Sequence, residues 1–165
     1  MFRAKPICSS WVMLKTLTGR ENRFLEYVLV TGQFGGILLL ATTTRFALLP
    51  FASYVIALLG FALGGYAIII MKLGNFHVLP SPVKRSQLVI RGPYRYIRHP
   101  MYTSVIIIAA AMISGDFSMI KSGIGLLLAL CLVIKLEYEE ILLLKRFPEY
   151  EAYRKTTKRL IPFLW

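Results

Sequence analysis

Two short segments of the sequence carry side chains that could bind a charged ligand, and the first is Arg98-His99-Pro100. Proline suits the first turn of a helix, where its missing N–H costs no hydrogen bond. A helix N-terminus presents free N–H groups and partial positive charge, so with Arg98 and His99 beside it this position favours a carboxylate or a phosphate. The alternative is that Arg95, Arg98 and the neighbouring tyrosines only anchor the helix at a membrane surface. The residue types by themselves do not decide between the two.

The second segment is Lys135–Glu140, which holds three of the eight acidic residues of the chain, Glu137, Glu139 and Glu140. It directly follows an apolar run, and carboxylates beside a membrane are candidates for function. The alternative is a salt-bridged helix face. Within this segment, Lys135 and Glu139 form the only oppositely charged pair at the i,i+4 spacing, in the less favourable order. Local pairing leaves Glu137 and Glu140 unexplained, which favours a functional role.

Apolar helices must position these two segments. At 1.5 Å per residue, the first two apolar runs give helices of about 27 and 39 Å, against a hydrocarbon core of about 30 Å. The third run is marginal, and the fourth is interrupted only by Lys121, whose long side chain can reach the interface. Gly115-Asp116 is a turn signal, so the last two runs predict a helical hairpin. The four runs are 27–44, 46–71, 100–115 and 117–134.

The composition indicates a membrane protein. The chain is 56% hydrophobic and 17% charged, which excludes a disordered chain and an ordinary soluble enzyme. A helical bundle in water would need polar helix faces, and Phe46–Met71 has none. We therefore expect an all-α fold, a small polytopic membrane bundle of about four transmembrane helices with a cytoplasmic cofactor pocket. The 165 residues form one domain: 1–26 as a cytoplasmic or interfacial segment, 27–71 as the first two spans, and 72–165 as the catalytic half.

The basic residues predict the orientation. Eighteen of the 20 Lys and Arg residues fall before the first run, between the second and third, or after the fourth, leaving only Arg45 and Lys121 on the other side. The positive-inside rule places both termini and the 72–98 connection, with its Pro80-Ser81-Pro82 turn, in the cytoplasm. Residues 1–26 hold no apolar core long enough for a cleavable signal peptide. Membrane lipid accounts for the net charge of +12, so we expect no nucleic-acid partner.

The predicted hairpin brings the start of the third helix and the end of the fourth to the same side. Arg98 and His99 should then face Glu139 and Glu140 across a small pocket that would suit a ligand with an amine and a carboxylate. Two cysteines and two histidines are too few for a four-ligand zinc site, so we expect no metal. Gly32 and Gly36, like Gly60 and Gly64, have the spacing of close helix contacts.

These two segments and their flanking residues resemble a known family, the isoprenylcysteine carboxyl methyltransferases and their phospholipid methyltransferase relatives. The resemblance covers residues 86–102 and 135–163, and it is specific because an Arg-His-Pro motif and a Glu-Glu pair flank one hairpin. Its motifs are Gly92-Pro93-Tyr94, Arg98-His99-Pro100-Met101-Tyr102, Glu139-Glu140 and Phe147-Pro148-Glu149-Tyr150-Glu151-Ala152-Tyr153.

The resemblance implies an integral membrane enzyme, of the cytoplasmic or inner membrane in a prokaryote. It would use S-adenosyl-L-methionine to methylate a hydrophobic or lipid-like acceptor, with its active site facing the cytoplasm. It implies catalytic roles for Arg98, His99 and Glu140 and a substrate contact at Lys135, where the eukaryotic enzymes have arginine. Lysine keeps the charge without the bidentate fork, so the acceptor stays open. The implied cofactor-binding residues are Gln87, Leu88, Val89, Tyr94, His99, Pro100, Met101, Tyr102 and Glu139.

Two alternatives remain. A membrane reductase of the steroid-reductase type would bind NADPH, and Lys84, Arg85 and Arg91 could serve its phosphate, but Glu139 and Glu140 would repel a polyphosphate. A non-enzymatic membrane scaffold or small transporter would explain the spans but not a cation site and a carboxylate pair that converge on one pocket.

Overall fold

The computed structural model describes residues 23–71 and 87–162. The helices of this part are α1 (Arg23–Thr43), α2 (Phe51–Met71), α3 (Pro100–Gly115), α4 (Met119–Arg146) and α5 (Tyr150–Thr156), with short 3₁₀ turns at Phe46–Leu48 and Gly92–Arg95. The predicted interfacial segment as far as residue 22, and residues 72–86 with their proline turn, lie outside the described residues.

The expected all-helical membrane bundle is confirmed. By length and composition α1, α2 and α4 are long and apolar enough to cross a membrane. At 16 residues, α3 is shorter. A helix of this length rises about 24 Å, which falls about 6 Å short of a typical hydrocarbon core. The apolar side chains on the outer faces of α1 and α2, such as Leu38 and Leu58, are exposed.

Several helix bounds differ from the expected runs: α1 begins at Arg23, before the run that starts at 27, and α4 begins at Met119 rather than at 117. α2 begins at Phe51 rather than at residue 46, because a 3₁₀ turn occupies Phe46–Leu48 and Pro50 suits the position before a helix. α4 continues to Arg146, well beyond residue 134. Lys135–Glu140 therefore lies on the helix, so its side chains hold fixed positions on the α4 surface.

The helices pack most extensively in two pairs, α1 with α4 and α2 with α3. Both glycine pairs lie at these contacts. A Cβ atom on Gly36 would lie 3.3 Å from Leu128 Cδ1, and one on Gly60 would lie 2.7 Å from Ile108 Cγ1 and 3.2 Å from the Ser104 carbonyl oxygen. The small residues thus allow close approach of the helices, as the spacing predicts.

The predicted turn between α3 and α4 is present, and an ion pair holds it. α3 ends at Gly115 and α4 begins at Met119. The Asp116 carboxylate accepts hydrogen bonds from the Lys121 ammonium and, at 2.9 Å, from the backbone N–H of Arg45. Asp116 thereby ties the α3–α4 turn to the chain between α1 and α2 at the end of the bundle opposite Lys135–Glu140.

Candidate active site

Charged side chains just before α3 and on α4 meet where the N-terminus of α3 lies against the last third of α4. Arg98 Nε donates to Glu140 Oε1 at 2.6 Å, and both side chains are buried. The structure thus brings together the basic and acidic segments that the hairpin predicts to face each other.

His99 lies between the two predicted glutamates. Its Nδ1 is 3.6 Å from Glu139 Oε2, and its Nε2 is 3.5 Å from Glu140 Oε1. Burial by itself lowers the pKa of His99, but the two carboxylates outweigh burial and raise that pKa above its usual value of 6.5. The two carboxylates therefore make His99 easier to protonate than a free imidazole, which suits a positioning role better than the role of a base.

Tyr102 connects His99 to α4. Its ring stacks on the His99 ring with 5.4 Å between centroids and 2° between planes. Its hydroxyl donates to Glu139 Oε2 at 2.7 Å. Glu139 keeps 27% of its side chain exposed, whereas the Glu140 side chain keeps 2%. Of the two predicted carboxylates, Glu139 is therefore the one that a ligand can reach.

Lys135 lies one helical turn before Glu139 and is 3% exposed. Its Nζ donates to Gln33 Oε1 at 2.7 Å and lies 5.4 Å from the centroid of the Tyr102 ring, within cation–π distance. The predicted substrate residue is thus part of the same group of side chains, held there from α1.

The C-terminal segment closes the side of the site next to Arg98. One Arg98 guanidinium nitrogen donates to the carbonyl oxygens of Arg154 and Thr157. The backbone N–H of Arg98 donates to Lys158 O at 2.8 Å and that of His99 to Arg159 O at 3.1 Å. The carbonyl oxygens of Lys158 and Arg159 thus satisfy the two backbone N–H groups that directly precede α3. Among the described residues, the Arg98 side chain therefore bonds Glu140 and two backbone carbonyl oxygens of the C-terminal segment.

Three buried polar atoms near this ion pair have no hydrogen-bond partner among the described residues: His99 Nε2, Glu140 Oε2 and the Tyr150 hydroxyl. Burial, with the negative charge of Glu140 as the next cause, raises the pKa of Tyr150, so its hydroxyl stays protonated and can donate. Buried polar atoms are nearly always satisfied by protein or water. A water molecule or a polar group of a ligand would supply the hydrogen bonds that these three atoms lack.

The remaining predicted cofactor residues lie around the approach to α3. Tyr94 is 4% exposed, and its hydroxyl lies 3.8 Å from Met71 Sδ. Burial raises the pKa of Tyr94, and the negative charge of nearby Glu139 adds to the effect. Pro100 is buried and Met101 half-buried, whereas Leu88 and Val89 are half-buried and Gln87 is exposed, before the 3₁₀ turn. Their roles stay predictions.

Four contributing residues were not predicted from the sequence. Arg159 pairs with Glu137 and lies 3.5 Å from Glu140 Oε2, which supplies the partners that local spacing does not. Gln33 holds Lys135, the Tyr153 hydroxyl donates to Tyr94 O, and Tyr150 lies beside Glu140. The available signals were the polar Gln33 within an apolar run and the C-terminal motif of the family resemblance, which contains Tyr150 and Tyr153. Arg159 lies in an ordinary basic segment and carried no such signal.

An apolar cavity of about 470 Å³ lies between α3 and α4, toward their connecting turn. Its α3 side begins at Ile106, one helical turn after Tyr102. Its lining is apolar apart from two serines and comprises Ile106, Ala109, Ala110, Ile113, Ser114, Phe117, Ser122, Gly125, Leu126, Leu128 and Ala129. Such a cavity is suited to a hydrocarbon chain.

Among residues 23–71 and 87–162, no three His, Cys, Asp or Glu side chains are grouped as they would be around a metal ion. In the comparisons with known proteins, the model of the isoprenylcysteine carboxyl methyltransferase (ICMT) family matches residues 55–145. No curated protein matches the sequence significantly.

Proposed function

Because the chain belongs to the isoprenylcysteine carboxyl methyltransferase family, we propose that it transfers a methyl group from S-adenosyl-L-methionine to a hydrophobic or lipid-like acceptor. The family model covers more than half of the 165 residues and includes both charged segments. Membership makes the chain a membrane methyltransferase, in agreement with its three apolar helices of spanning length. The cofactor, the acceptor and the site residues are the proposed parts.

One observation carries the proposal: His99, Tyr102, Glu139 and Glu140 meet at the junction of α3 and α4. Tyr102 bonds Glu139 at 2.7 Å, and His99 lies between the two glutamates. A partly exposed carboxylate beside buried, unpartnered polar atoms offers what a ligand with an ammonium and a carboxylate requires.

These residues fit S-adenosyl-L-methionine. Bound there, the cofactor supplies a methyl group already activated by its sulfonium. Glu139 would hold the ammonium group, since its other partners, Tyr102 and His99, leave a quarter of its side chain exposed. Tyr94 and Met101 would line the same pocket, with Gln87, Leu88, Val89 and Pro100 at its approach. Arg98 and Glu140 act as positioning residues, because their mutual ion pair fixes the start of α3 against α4.

The chain's own task is to align the acceptor and exclude water, and such alignment can supply up to about 7–11 kcal/mol. His99 lies between Glu139 and Glu140, whose charges raise its pKa, so it is better suited to orient those carboxylates than to act as the base. A carboxylate acceptor needs no base, whereas an amine or a thiol does. This positioning role of His99 therefore favours a carboxylate acceptor.

The apolar part of the acceptor has a place in the cavity between α3 and α4. This cavity begins one turn from Tyr102, whose ring contacts the Lys135 ammonium. Lys135 would hold the polar end of the acceptor near the cofactor while the hydrocarbon extends toward the α3–α4 turn. An acceptor of this kind would enter from the bilayer, and the cofactor would enter from the aqueous side.

We propose that this aqueous side is the cytoplasm. In the sequence, 18 of the 20 basic residues fall before the first apolar run, between the second and third, or after the fourth, and the positive-inside rule assigns these segments to the cytoplasm. The charged residues of the site belong to two of these segments. A reporter fused at Asp116 should therefore appear on the outside, and one fused at Lys158 on the inside. The opposite result would reverse the orientation and leave the chemistry unchanged.

Binding and turnover of the purified protein in lipid nanodiscs test the proposed chemistry. S-adenosyl-L-methionine should bind with measurable heat and NADPH should not. Label from its methyl group should move into an amphiphilic acid such as N-acetyl-S-farnesylcysteine. Binding of NADPH in place of S-adenosyl-L-methionine would favour the reductase alternative, and binding of neither by a folded protein would favour a non-enzymatic role.

A further inference from the structure

Gln33 lies on α1, outside the residues that the family model matches, yet it contacts the proposed acceptor site. It is 9% exposed within an uncharged part of the helix. Its side-chain oxygen accepts a hydrogen bond from Lys135 Nζ across the α1–α4 contact at 2.7 Å. An amide in a membrane-spanning helix is costly unless its polar atoms are satisfied, so the pairing calls for an explanation.

The pair has unused donors. A lysine ammonium has three N–H donors and a glutamine amide two. In the part of the chain that the structure describes, Gln33 Oε1 is the one hydrogen-bond acceptor of Lys135 Nζ, and no side chain accepts from the Gln33 amide nitrogen. No carboxylate in that part lies within 4.0 Å of Nζ. The buried Lys135 ammonium and the Gln33 amide are thus adjacent, and both keep N–H donors that could bind a ligand.

The Tyr102 ring lies between this donor pair and the proposed cofactor site. Lys135 Nζ lies 5.4 Å from the ring centroid, and the hydroxyl of the same ring bonds Glu139. Gln33, Lys135, Tyr102 and Glu139 therefore form one connected row from α1 to the proposed cofactor site. An anionic group bound by Lys135 would lie beside Tyr102.

We propose that Gln33 is a positioning and specificity residue that holds the Lys135 ammonium and joins it in anchoring the carboxylate of the acceptor. A carboxylate has two oxygens that accept hydrogen bonds, which matches one ammonium and one amide. Without Gln33, the flexible four-carbon side chain of lysine has no fixed place in the helix pair. This inference rests on the proposed function, because it assumes that the acceptor occupies the Lys135 side of the site.

The test compares an acid with its neutral amide. The intact protein is placed in phosphatidylcholine nanodiscs, which lack competing anionic lipids. Its affinities for N-acetyl-S-farnesylcysteine and for the corresponding carboxamide are measured by calorimetry. We expect the wild-type protein to bind the acid at least about tenfold more tightly than the amide, because a hydrogen bond to a charged group is stronger than a neutral one.

Two Gln33 variants and a control variant distinguish a positioning role of Gln33 from an effect on folding. Gln33→Glu places a carboxylate on Lys135 and should reduce acid affinity by about tenfold or more while changing amide affinity less than about twofold. Gln33→Met, close in size and apolar, should also lose the acid preference, and it keeps the test valid if Gln33→Glu does not fold. Thr31→Leu, at an exposed position on the same helix, should keep the wild-type ratio.

An unchanged acid-to-amide ratio in both Gln33 variants would overturn the inference, as would equal binding of acid and amide by the wild-type protein. Binding of S-adenosyl-L-methionine is measured in the same samples. Its absence in the wild-type protein would overturn the proposed function, whereas the acid-to-amide ratio would still decide the role of Gln33. Its retention in the Gln33 variants shows that their pocket is folded.

Discussion

Arg98 and Glu140 form a buried ion pair, with 2.6 Å between Nε and Oε1 and side chains 6% and 2% exposed. Arg98 lies just before α3 and Glu140 lies on α4. The same guanidinium donates to the carbonyl oxygens of Arg154 and Thr157. One side chain thus joins the three parts of the chain that surround His99.

Removal of this arginine should destabilise the protein. Arg98→Met leaves the Glu140 carboxylate buried without its closest cation, and breaking a buried pair from one side costs about 3–5 kcal/mol. We expect a loss near the lower value, because Arg159 and His99 still lie 3.5 Å from Glu140. Equilibrium unfolding in mixed micelles measures it. Arg95→Met, an exposed arginine in the adjacent turn, is the control, and equal stability of the two variants would contradict the structural role of Arg98.

The stabilising effect of His99 should decrease as pH rises. Burial lowers the pKa of His99, but the stronger combined effect of Glu139 and Glu140 raises it above 6.5 in the folded protein. The imidazolium therefore contributes its full stabilisation below the unfolded pKa of about 6.5, and this is lost as pH rises through the folded value. Thermal unfolding of wild type and His99→Gln between about pH 6 and pH 9 should show a difference that is largest at the acidic end. A difference that grows with pH would contradict the charged form.

The sequence predicts the helices better than it predicts the partners of their charges. Apolar runs and the Gly115-Asp116 turn locate the spans, because both signals are local. The contact of Lys135 with Gln33 joins positions 102 residues apart, and that of Glu137 with Arg159 joins positions 22 residues apart. Such pairs depend on which helix faces pack together, and a single sequence does not specify that. α4 extends past its apolar run for the same reason, since contacts with Arg98 and Arg159 stabilise its polar end.

The contact between α2 and α3 should be sensitive to side-chain size at Gly60. A Cβ atom there would lie 2.7 Å from Ile108 Cγ1 and 3.2 Å from a backbone oxygen, so Gly60→Leu must separate the helices. We expect a loss of about 1–3 kcal/mol in unfolding free energy. Gly65→Leu is a matched control on the same helix, because nothing lies within 4 Å of its Cβ position. Equal effects of the two substitutions would contradict the observed packing.

Filling the apolar cavity should weaken use of long acceptors without affecting the cofactor. Ala110 is exposed and lines the cavity, so Ala110→Phe adds volume there without overpacking the core. The KM for a farnesylated acid should rise by about tenfold, equivalent to about 1.4 kcal/mol of lost apolar contact. Ala52→Phe, on the exposed face of α2, should leave the KM unchanged. An unchanged KM in Ala110→Phe would exclude the cavity as the site of the hydrocarbon chain.

The proposed cofactor site depends most on Glu139. Glu139→Gln keeps the size and most hydrogen bonding of the side chain but removes its charge. Because a hydrogen bond to a charged group contributes about 1.5–3 kcal/mol, the affinity for S-adenosyl-L-methionine should fall roughly ten- to hundredfold. Glu137→Gln, on the same helix but paired with Arg159, should reduce the affinity for S-adenosyl-L-methionine much less. Glu140→Gln should cause an intermediate loss of affinity, because Glu140 forms an ion pair with Arg98.

Calorimetric titration of S-adenosyl-L-methionine into wild type, Glu139→Gln and Glu137→Gln, each checked for folding, tests the central claim most directly. The predicted result is tight binding by wild type and by Glu137→Gln, with a large loss in Glu139→Gln alone. Wild-type affinity in Glu139→Gln, or a loss confined to Glu137→Gln, would contradict the assignment of Glu139 to the cofactor.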